Sequence, residues 1–191
     1  MNRRYLRATV AIASLFGGLF AAVAWLAPAP RLLWNPSASA PIGLYWIDPG
    51  ATPRAGDLVA VQPPALLRAW LAERHYLPAG IPLLKRVAAL PGARICRSGV
   101  FVTIDGVAAA RAMARDRLGR ALPFWLGCRI VGPDELFLLN AAPDSLDGRY
   151  FGPLPAAGLL GVAHPVMIRP ASGAPLSPHR PSPDQTSSQA E

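Results

Sequence analysis

The chain has 191 residues, of which 52% are hydrophobic, and it carries a formal net charge of +8. That length allows one domain with its own core plus additional segments. The arginines are scattered and form no basic helix or aromatic-interleaved patch, which argues against nucleic-acid binding. No zinc-ligand spacing is present, and we expect neither a metal site nor a cofactor. Attraction to anionic lipid headgroups explains the positive charge more simply.

The N-terminal segment has the composition of a membrane-spanning helix. Residues 8–27 contain no charge, and as a helix they would be about 30 Å long, the thickness of a bilayer core. Pro28 and Pro30 are expected to end this helix. Three arginines lie within the first seven residues, which predicts a cytoplasmic N-terminus and export of the rest of the chain across the bacterial inner membrane.

A cleaved signal peptide is the competing interpretation of this segment. The apolar region of a signal peptide usually spans about 7–15 residues, fewer than are present here. Cleavage after Ala29 would also leave Pro30 directly beyond the cut. We therefore expect residues 1–30 to comprise a cytoplasmic stub and a retained, single-pass signal anchor.

Residues 31–169 are expected to form one small, mainly β domain with one short helix. Short apolar or alternating runs recur between Pro and Gly turn signals, and each predicts a strand. The predicted strands are 44–47, 58–62, 83–89, 99–104, 129–131, 136–140 and 161–168.

Only residues 64–76 have helical spacing. Four large apolar side chains are expected on one face of this helix: Leu66, Leu67, Trp70 and Leu71. Residues 170–191 are rich in Pro, Ser, Ala and Gln, and this composition predicts a disordered tail.

The two cysteines, Cys96 and Cys128, do not form a Cys-x-x-Cys motif. In an oxidising compartment they could pair, and closing that loop would stabilise the fold by about 3–4 kcal/mol. Two buried thiols are the alternative. Export of the domain favours the disulfide.

Lys85 is the only lysine among the 19 basic Lys and Arg residues. A GC-rich genome that encodes most basic residues as arginine would explain this bias. However, an arginine cannot be deprotonated in a protein, whereas a desolvated lysine can be. Lys85 lies in the apolar run 81–87, and strand alternation would place it beside apolar neighbours, so burial is expected to lower its pKa.

None of the histidines is well placed to activate a serine. His75 ends the predicted helix, His164 precedes a proline near the last strand, and His179 lies in the predicted tail. Each is expected to be a surface or packing residue. A serine hydroxyl needs a base to become a nucleophile, so if a serine acts as one in this domain, Lys85 is the remaining candidate for that base.

Three short motifs follow one another along the domain. Residues 39–45 read Ser-x-Pro-x-Gly-Leu-Tyr, residues 85–92 begin with Lys-Arg-Val and end with Leu-Pro-Gly, and residues 147–152 read Asp-x-Arg-Tyr-x-Gly. In this order, behind a signal anchor, they resemble the serine–lysine signal peptidases of the S26 (leader peptidase) family. The resemblance is greatest to the conjugative-transfer, TraF-like branch and covers about residues 8–168.

The resemblance implies an antiparallel, barrel-like β core on one N-terminal membrane helix. It also implies a reaction centre with Ser39 as nucleophile and Lys85 as general base. The hydroxyl of Ser37 would help the backbone NH of Ser39 to hold the oxyanion, although a turn residue is an equally good interpretation of Ser37.

The third motif supplies the supporting residues. Asp147 is expected to organise the site through Ser145 and near Lys85, with Arg149 in support. A salt bridge between Asp147 and Arg149 is the alternative and is compatible with that role. Asp144 is a weaker candidate, because only Asp147 has the correct spacing to the Arg-Tyr pair.

Two further charged residues, Arg86 and Asp57, are expected to have structural roles. Arg86 follows Lys85 on the opposite face of the strand, and Asp57 is expected to order a turn before the strand 58–62. Both are expected to stay outside the chemistry.

The implied function is that of a membrane-anchored serine endopeptidase acting through an acyl-enzyme. Its implied partners are the bilayer, other conjugation or secretion components, and an exported preprotein. A pilin-like precursor with small residues before the cut, bound as an extended strand, is expected, and in this branch a substrate amine can replace water and cyclise the product.

The chain departs from general leader peptidases in one segment. They carry Gly-Asp-Asn-Arg before the last motif, whereas residues 139–144 read Leu-Asn-Ala-Ala-Pro-Asp, which leaves the role of Asn140 open. The chain also has no room for a large second β domain. A general type I signal peptidase and a non-enzymatic component of a secretion or mating channel are the alternatives.

Overall fold

The structure is a computed structural model that describes residues 3–26, 31–169 and 174–179. The chain divides into two units, Met1–Pro30 and Arg31–Glu191. The first contains helix α1, Arg3–Leu26, which includes a 21-residue span with the length and hydropathy needed to cross a membrane. Helix α1 contains residues 8–26 of the predicted span and begins before it, at Arg3, whereas residues 27–30 lie outside the described residues.

The second unit is mainly β, which confirms the predicted fold class. Its strands are β1 (Leu32–Asn35), β2 (Gly43–Asp48), β3 (Leu58–Val61), β4 (Leu83–Ala89), β5 (Arg94–Ser98), β6 (Phe101–Ile104), β7 (Val107–Arg111), β8 (Gly127–Ile130), β9 (Glu135–Leu139), β10 (Leu154–Pro155), β11 (Leu159–Ile168) and β12 (Ser177–Pro178). Its helices are α2 (Ala65–Glu73) and the single turn α3 (Gly148–Phe151).

The larger antiparallel sheet has the order β1-β2-β11-β3-β4-β9-β10, with β12 paired to β11. Strand β3 lies in its middle and is buried at every position, as a strand with both faces covered should be. Its alternating side chains enter two different apolar clusters, one containing Val59 and Val61 and the other Leu58 and Ala60. The adjacent strand β4 therefore lies in the interior of the unit.

The smaller antiparallel sheet has the order β7-β6-β5-β8. It packs on one end of the larger sheet through a shared cluster that includes Ile95 and Val102 from the smaller sheet and Phe137 from β9. Cys96 and Cys128 lie opposite one another on β5 and β8 and form a disulfide. The bond therefore joins two strands that already form hydrogen bonds to each other.

Some local predictions were wrong. Leu66 is 88% exposed on α2, whereas Leu71 is buried and Leu67 and Trp70 are partly buried. The apolar face is therefore narrower than predicted, because Leu66 does not join the cluster that Leu67, Trp70 and Leu71 pack into.

Other errors concern short elements. Strands β1, β5, β7 and β10 and the helical turn α3 were not predicted, because each is too short for a clear periodic signal. The expectation of disorder was wrong for Ser177–Pro178, which pair with β11; residues 170–173 and 180–191 lie outside the described residues.

Candidate active site

The first motif forms the connection between β1 and β2. The two strands pair up to the rung between Asn35 and Gly43, and residues 36–42 form the loop that carries both serines. A Cβ atom on Gly43 would lie only 2.0 Å from the carbonyl oxygen of Met167. Glycine is therefore required for β2 to approach β11 this closely, and this approach places the loop.

Ser37 and Ser39 contact each other directly. The Ser37 hydroxyl donates to Ser39 Oγ at 3.1 Å and accepts from the Ser39 backbone NH at 3.3 Å. Ser37 is exposed and Ser39 is partly buried. The predicted nucleophile and its predicted oxyanion partner are thus neighbours, and in this state they satisfy each other's hydrogen bonds.

Lys85 lies in the middle of β4, opposite Val59, and is only 4% exposed. Its Nζ donates to Ser145 Oγ at 2.7 Å and lies 3.5 Å from Ser39 Oγ. The structure therefore brings together three side chains that are far apart in sequence. The Lys85–Ser39 contact is long for a hydrogen bond, as catalytic contacts often are before substrate binds.

The environment of Lys85 makes its amine easier to deprotonate than that of an exposed lysine. Burial lowers the pKa of Lys85 from 10.5 to about 8; the carboxylates of Asp147 and Asp144 act to raise this pKa, and the Arg149 guanidinium acts to lower it. A neutral amine at this position has a lone pair that can accept the proton of a serine hydroxyl. The arrangement is thus competent for general-base activation of Ser39.

Asp147 and Arg149 form a buried ion pair beside this centre. Their side chains are almost fully buried, and Arg149 Nε donates to Asp147 Oδ1 at 2.8 Å. The carboxylate also accepts from the backbone NH groups of Arg149 and Asn140. Among the described residues, Ser145 is not a hydrogen-bond partner of Asp147, so the expected link through Ser145 is replaced by links through Arg149 and Asn140.

Asn140 connects this ion pair to the strand that carries Lys85. Its Oδ1 accepts from the Arg86 backbone NH at 3.0 Å, and its Nδ2 donates to the Leu84 carbonyl at 3.1 Å. Its own backbone carbonyl accepts from Arg149 at 2.6 Å. The residue whose role the sequence left open therefore contacts both sides of the lysine.

Arg86 and Asp57 have the structural positions that alternation and turn chemistry predict. The Arg86 side chain is exposed and donates to the carbonyl of Gly56 at 2.8 Å. Asp57 accepts from the backbone NH of Arg54 at 2.7 Å, which orders the turn before β3.

Among the described residues, none of the remaining candidates is a hydrogen-bond partner of Ser39. Asp144 is exposed and pairs with Arg117 on the surface. His75 is exposed after the end of α2, His164 is exposed on β11, and the backbone NH of His179 donates to the Val166 carbonyl. None of these histidines contacts the two serines.

Sequence reasoning assigned no role to three residues that support the site. The Asn35 carboxamide contacts the backbone of the serine loop, and the Tyr45 hydroxyl donates to the Pro41 carbonyl at 2.6 Å. Arg97, on the smaller sheet, donates to the Arg149 carbonyl. For Asn35, the available signal was a polar side chain at the end of an apolar run, which must find partners if it is buried.

A family profile described as "Signal peptidase, peptidase S26" matches residues 2–168. Among named relatives, "Conjugal transfer protein TraF" of Agrobacterium fabrum is 43% identical over 145 residues, which covers 69% of this chain and 80% of the relative. "Plasmid transfer protein TraF" of Escherichia coli is 29% identical over 159 residues, covering 78% and 88% respectively. Among solved structures, a signal peptidase I from Enterococcus faecalis V583 aligns at 20% identity with a TM-score of 0.35, covering 59% of this chain and 97% of that one.

Proposed function

This chain belongs to the S26 signal peptidase family and to its TraF branch, and from that membership we propose that it cleaves an exported precursor protein during conjugative transfer, with Ser39 as nucleophile and Lys85 as general base. It is a serine-type signal peptidase, so the non-enzymatic alternative is set aside. The relatives are named for conjugal and plasmid transfer, which supports a role in conjugation.

The first step is activation of Ser39. The neutral Lys85 amine accepts the hydroxyl proton as Oγ attacks the scissile carbonyl carbon, and the resulting ammonium returns that proton to the departing amine. At a pKa of about 8, about one molecule in ten has a neutral Lys85 at pH 7, against roughly one in 2,500 for an ordinary lysine. The hydrogen bond to Ser145 keeps the amine beside Ser39.

The oxyanion formed in this step needs two donors. We assign them to the backbone NH of Ser39 and the hydroxyl of Ser37, because these groups lie beside the attacking oxygen. The substrate carbonyl oxygen would displace Ser37 Oγ from the Ser39 NH, and the Ser37 hydroxyl would then donate to the oxyanion. Exposure of Ser37 leaves its side chain room to rotate.

The acyl-enzyme is then resolved by a second nucleophile. Attack by water gives a linear product, and attack by a substrate amine gives an amide and hence a cyclic product; Lys85 takes the proton in either case. A pilin-like precursor with small residues before the cut, bound as an extended strand, is the substrate that the TraF branch suggests.

We propose that residues 1–30 anchor the enzyme in the inner membrane and that residues 31–169 are the peptidase domain in the periplasm. Helix α1 is long and apolar enough to span, and the arginines at its start favour a cytoplasmic N-terminus. The Cys96–Cys128 disulfide supports an oxidising compartment for the domain.

The observation that carries the proposal is the approach of the buried Lys85 amine to Ser39 Oγ. To test it, the detergent-solubilised full chain is mixed with pilin-like precursors from the same locus, and the products are analysed by mass spectrometry. Ser39→Ala and Lys85→Arg should both abolish the product. Ser98→Ala, at an exposed serine on β5, and Arg86→Lys should leave it unchanged.

The product mass distinguishes water from an amine as the second nucleophile, because a cyclic product is lighter by one water. A Lys85→Arg variant that still cleaves would overturn the dyad. Rescue of cells depleted of their general leader peptidase would instead assign the chain to the general type I enzymes.

A further inference from the structure

The loop that carries both serines is built around one side chain. Residues 36–42 connect the paired ends of β1 and β2, and Asn35 is the last residue of β1. Asn35 is 7% exposed, so its carboxamide lies in the interior of the loop rather than in solvent. A buried carboxamide needs partners for two donors and one acceptor.

Those partners are all backbone groups of the loop itself. Nδ2 donates towards the carbonyl oxygens of Ser37 at 2.9 Å, Pro41 at 3.1 Å and Ala40 at 3.2 Å. Oδ1 accepts from the backbone NH of Ser37 at 3.1 Å. The amide thus contacts the loop both before and after Ser39.

The consequence is a fixed backbone at each residue that the chemistry needs. Ser37 is held at both its backbone NH and its carbonyl, which fixes the position of the Cα atom from which its side chain extends. Ser39 lies between Ser37 and Ala40, both of which are bonded to Asn35. Tyr45 adds a second contact to the Pro41 carbonyl, at the end of the loop away from Ser37.

We propose that Asn35 is a positioning residue of the peptidase, which holds Ser37 and Ser39 in the geometry for attack and oxyanion binding. It touches neither Lys85 nor Ser39 Oγ through any described hydrogen bond, so it acts through the loop backbone. The inference rests on the proposed roles of Ser37 and Ser39.

Two variants test this role in the full chain. Asn35→Ala removes every side-chain contact, and Asn35→Asp keeps the shape and one acceptor but sets a carboxylate oxygen against three carbonyls. With a precursor peptide, kcat should fall at least tenfold in both variants while KM changes less than threefold. For Asn35→Ala, the midpoint of the pH profile should stay at its wild-type value, because the environment of Lys85 is unchanged.

Thermal unfolding of each variant gives the fraction of folded enzyme, and kcat is corrected for it. A corrected kcat within twofold of wild type in both variants would overturn the inference. Failure of both variants to fold would also overturn it, since Asn35 would then serve stability and not positioning. Tyr45→Phe, which removes one contact at the far end of the loop, should reduce kcat less than Asn35→Ala does.

Ser39→Ala is measured alongside to separate this inference from the proposed function. If Ser39→Ala retains cleavage, the proposed nucleophile is wrong whatever the Asn35 variants do. If Ser39→Ala is inactive while the folded Asn35 variants keep their kcat, only the role of Asn35 is overturned.

Discussion

Asn140 holds the backbone on both sides of Lys85. Its side-chain amide bonds the Leu84 carbonyl and the Arg86 NH, at the point where the backbone pairing of β9 with β4 ends at Leu139. The carboxamide therefore extends the hydrogen-bond ladder by one position. The Asn140 side chain thus acts as an added rung of the sheet and places the lysine that we propose as the general base.

Changing Asn140 to Asp should raise the pKa of Lys85. The substitution puts a carboxylate against the backbone on either side of Lys85 and removes the donor to Leu84. A negative charge close to a lysine favours the ammonium. We expect the midpoint of the pH dependence of kcat/KM to rise by about one unit and kcat to fall. Asn140→Ala, which adds no charge, should lower kcat without that rise; an unchanged midpoint in Asn140→Asp would contradict this electrostatic link.

In the wild-type enzyme, activity should depend on deprotonation of Lys85. Because the pKa of Lys85 is lowered to about 8 by burial, kcat/KM should rise about tenfold per pH unit below that value and level off above it. The check is a kcat/KM profile from about pH 5.5 to 10. A midpoint near 6.5, the ordinary pKa of histidine, would point to a different base.

Lys85→Met should be inactive but more stable than wild type at neutral pH. The decrease in the pKa of Lys85 from 10.5 to about 8 corresponds to about 3 kcal/mol lost by burying the ammonium. The full cost applies below pH 8 and disappears as the pH rises towards 10.5, where the amine is neutral in both states. Allowing for the lost bond to Ser145, we expect a gain of about 1–2 kcal/mol in the free energy of unfolding at pH 7.

Urea unfolding of both proteins at pH 7 and at pH 10 measures this difference. The amount by which the free energy of unfolding of the methionine variant exceeds that of wild type should be smaller at pH 10 than at pH 7. A Lys85→Met protein that is less stable than wild type at pH 7 would show that the lysine is not desolvated.

Asp147→Asn should destabilise the domain strongly. It leaves the Arg149 guanidinium, only 3% exposed, without its carboxylate, and breaking a buried pair in this way costs about 3–5 kcal/mol. Asp144→Asn is the matched control, because its pair with Arg117 is on the surface and should contribute less than about 1 kcal/mol. If chemical denaturation showed equal losses of unfolding free energy in the two variants, the buried pair would contribute no more to stability than the surface pair.

Loss of the disulfide should reduce stability while preserving the fold. Cys96 and Cys128 are 32 residues apart, and opening a loop of that length costs about 3–4 kcal/mol on the chain-entropy model. The double variant Cys96→Ser and Cys128→Ser should therefore melt at a lower temperature with an unchanged β-sheet circular dichroism spectrum. An unchanged melting temperature would indicate that the strand pairing alone holds β5 and β8.

Regular local patterns made parts of the fold predictable. The run 83–89 was predicted with the observed boundaries of β4, because it is a mostly apolar run of seven residues between proline and glycine turn signals. Short strands such as β5 and β7 were missed because each has too few residues to give a clear pattern. The exposure of Leu66 shows a further limit, since periodicity locates an apolar face but not how much of it finds a partner.

The chain sequence by itself determined the candidate residues. An uncharged N-terminal run, a single lysine within an apolar strand and three motifs in a set order were enough to name Ser39, Lys85 and the Asp147 motif, because composition and spacing are properties of the chain. Their family resemblance then implied the chemistry.

Only the tertiary structure decided what these residues contact. Ser39 and Ser145 lie 46 and 60 positions from Lys85, and strand pairing, which no local pattern specifies, brings them to one amine. Strand pairing also brings Asn140 to the strand that carries Lys85 and closes the loop around Asn35. By contrast, the pair between Asp147 and Arg149, which are two residues apart, was an alternative that the sequence already offered. Burial, and with it the lowered pKa of Lys85, exists only once the sheet has formed around the side chain.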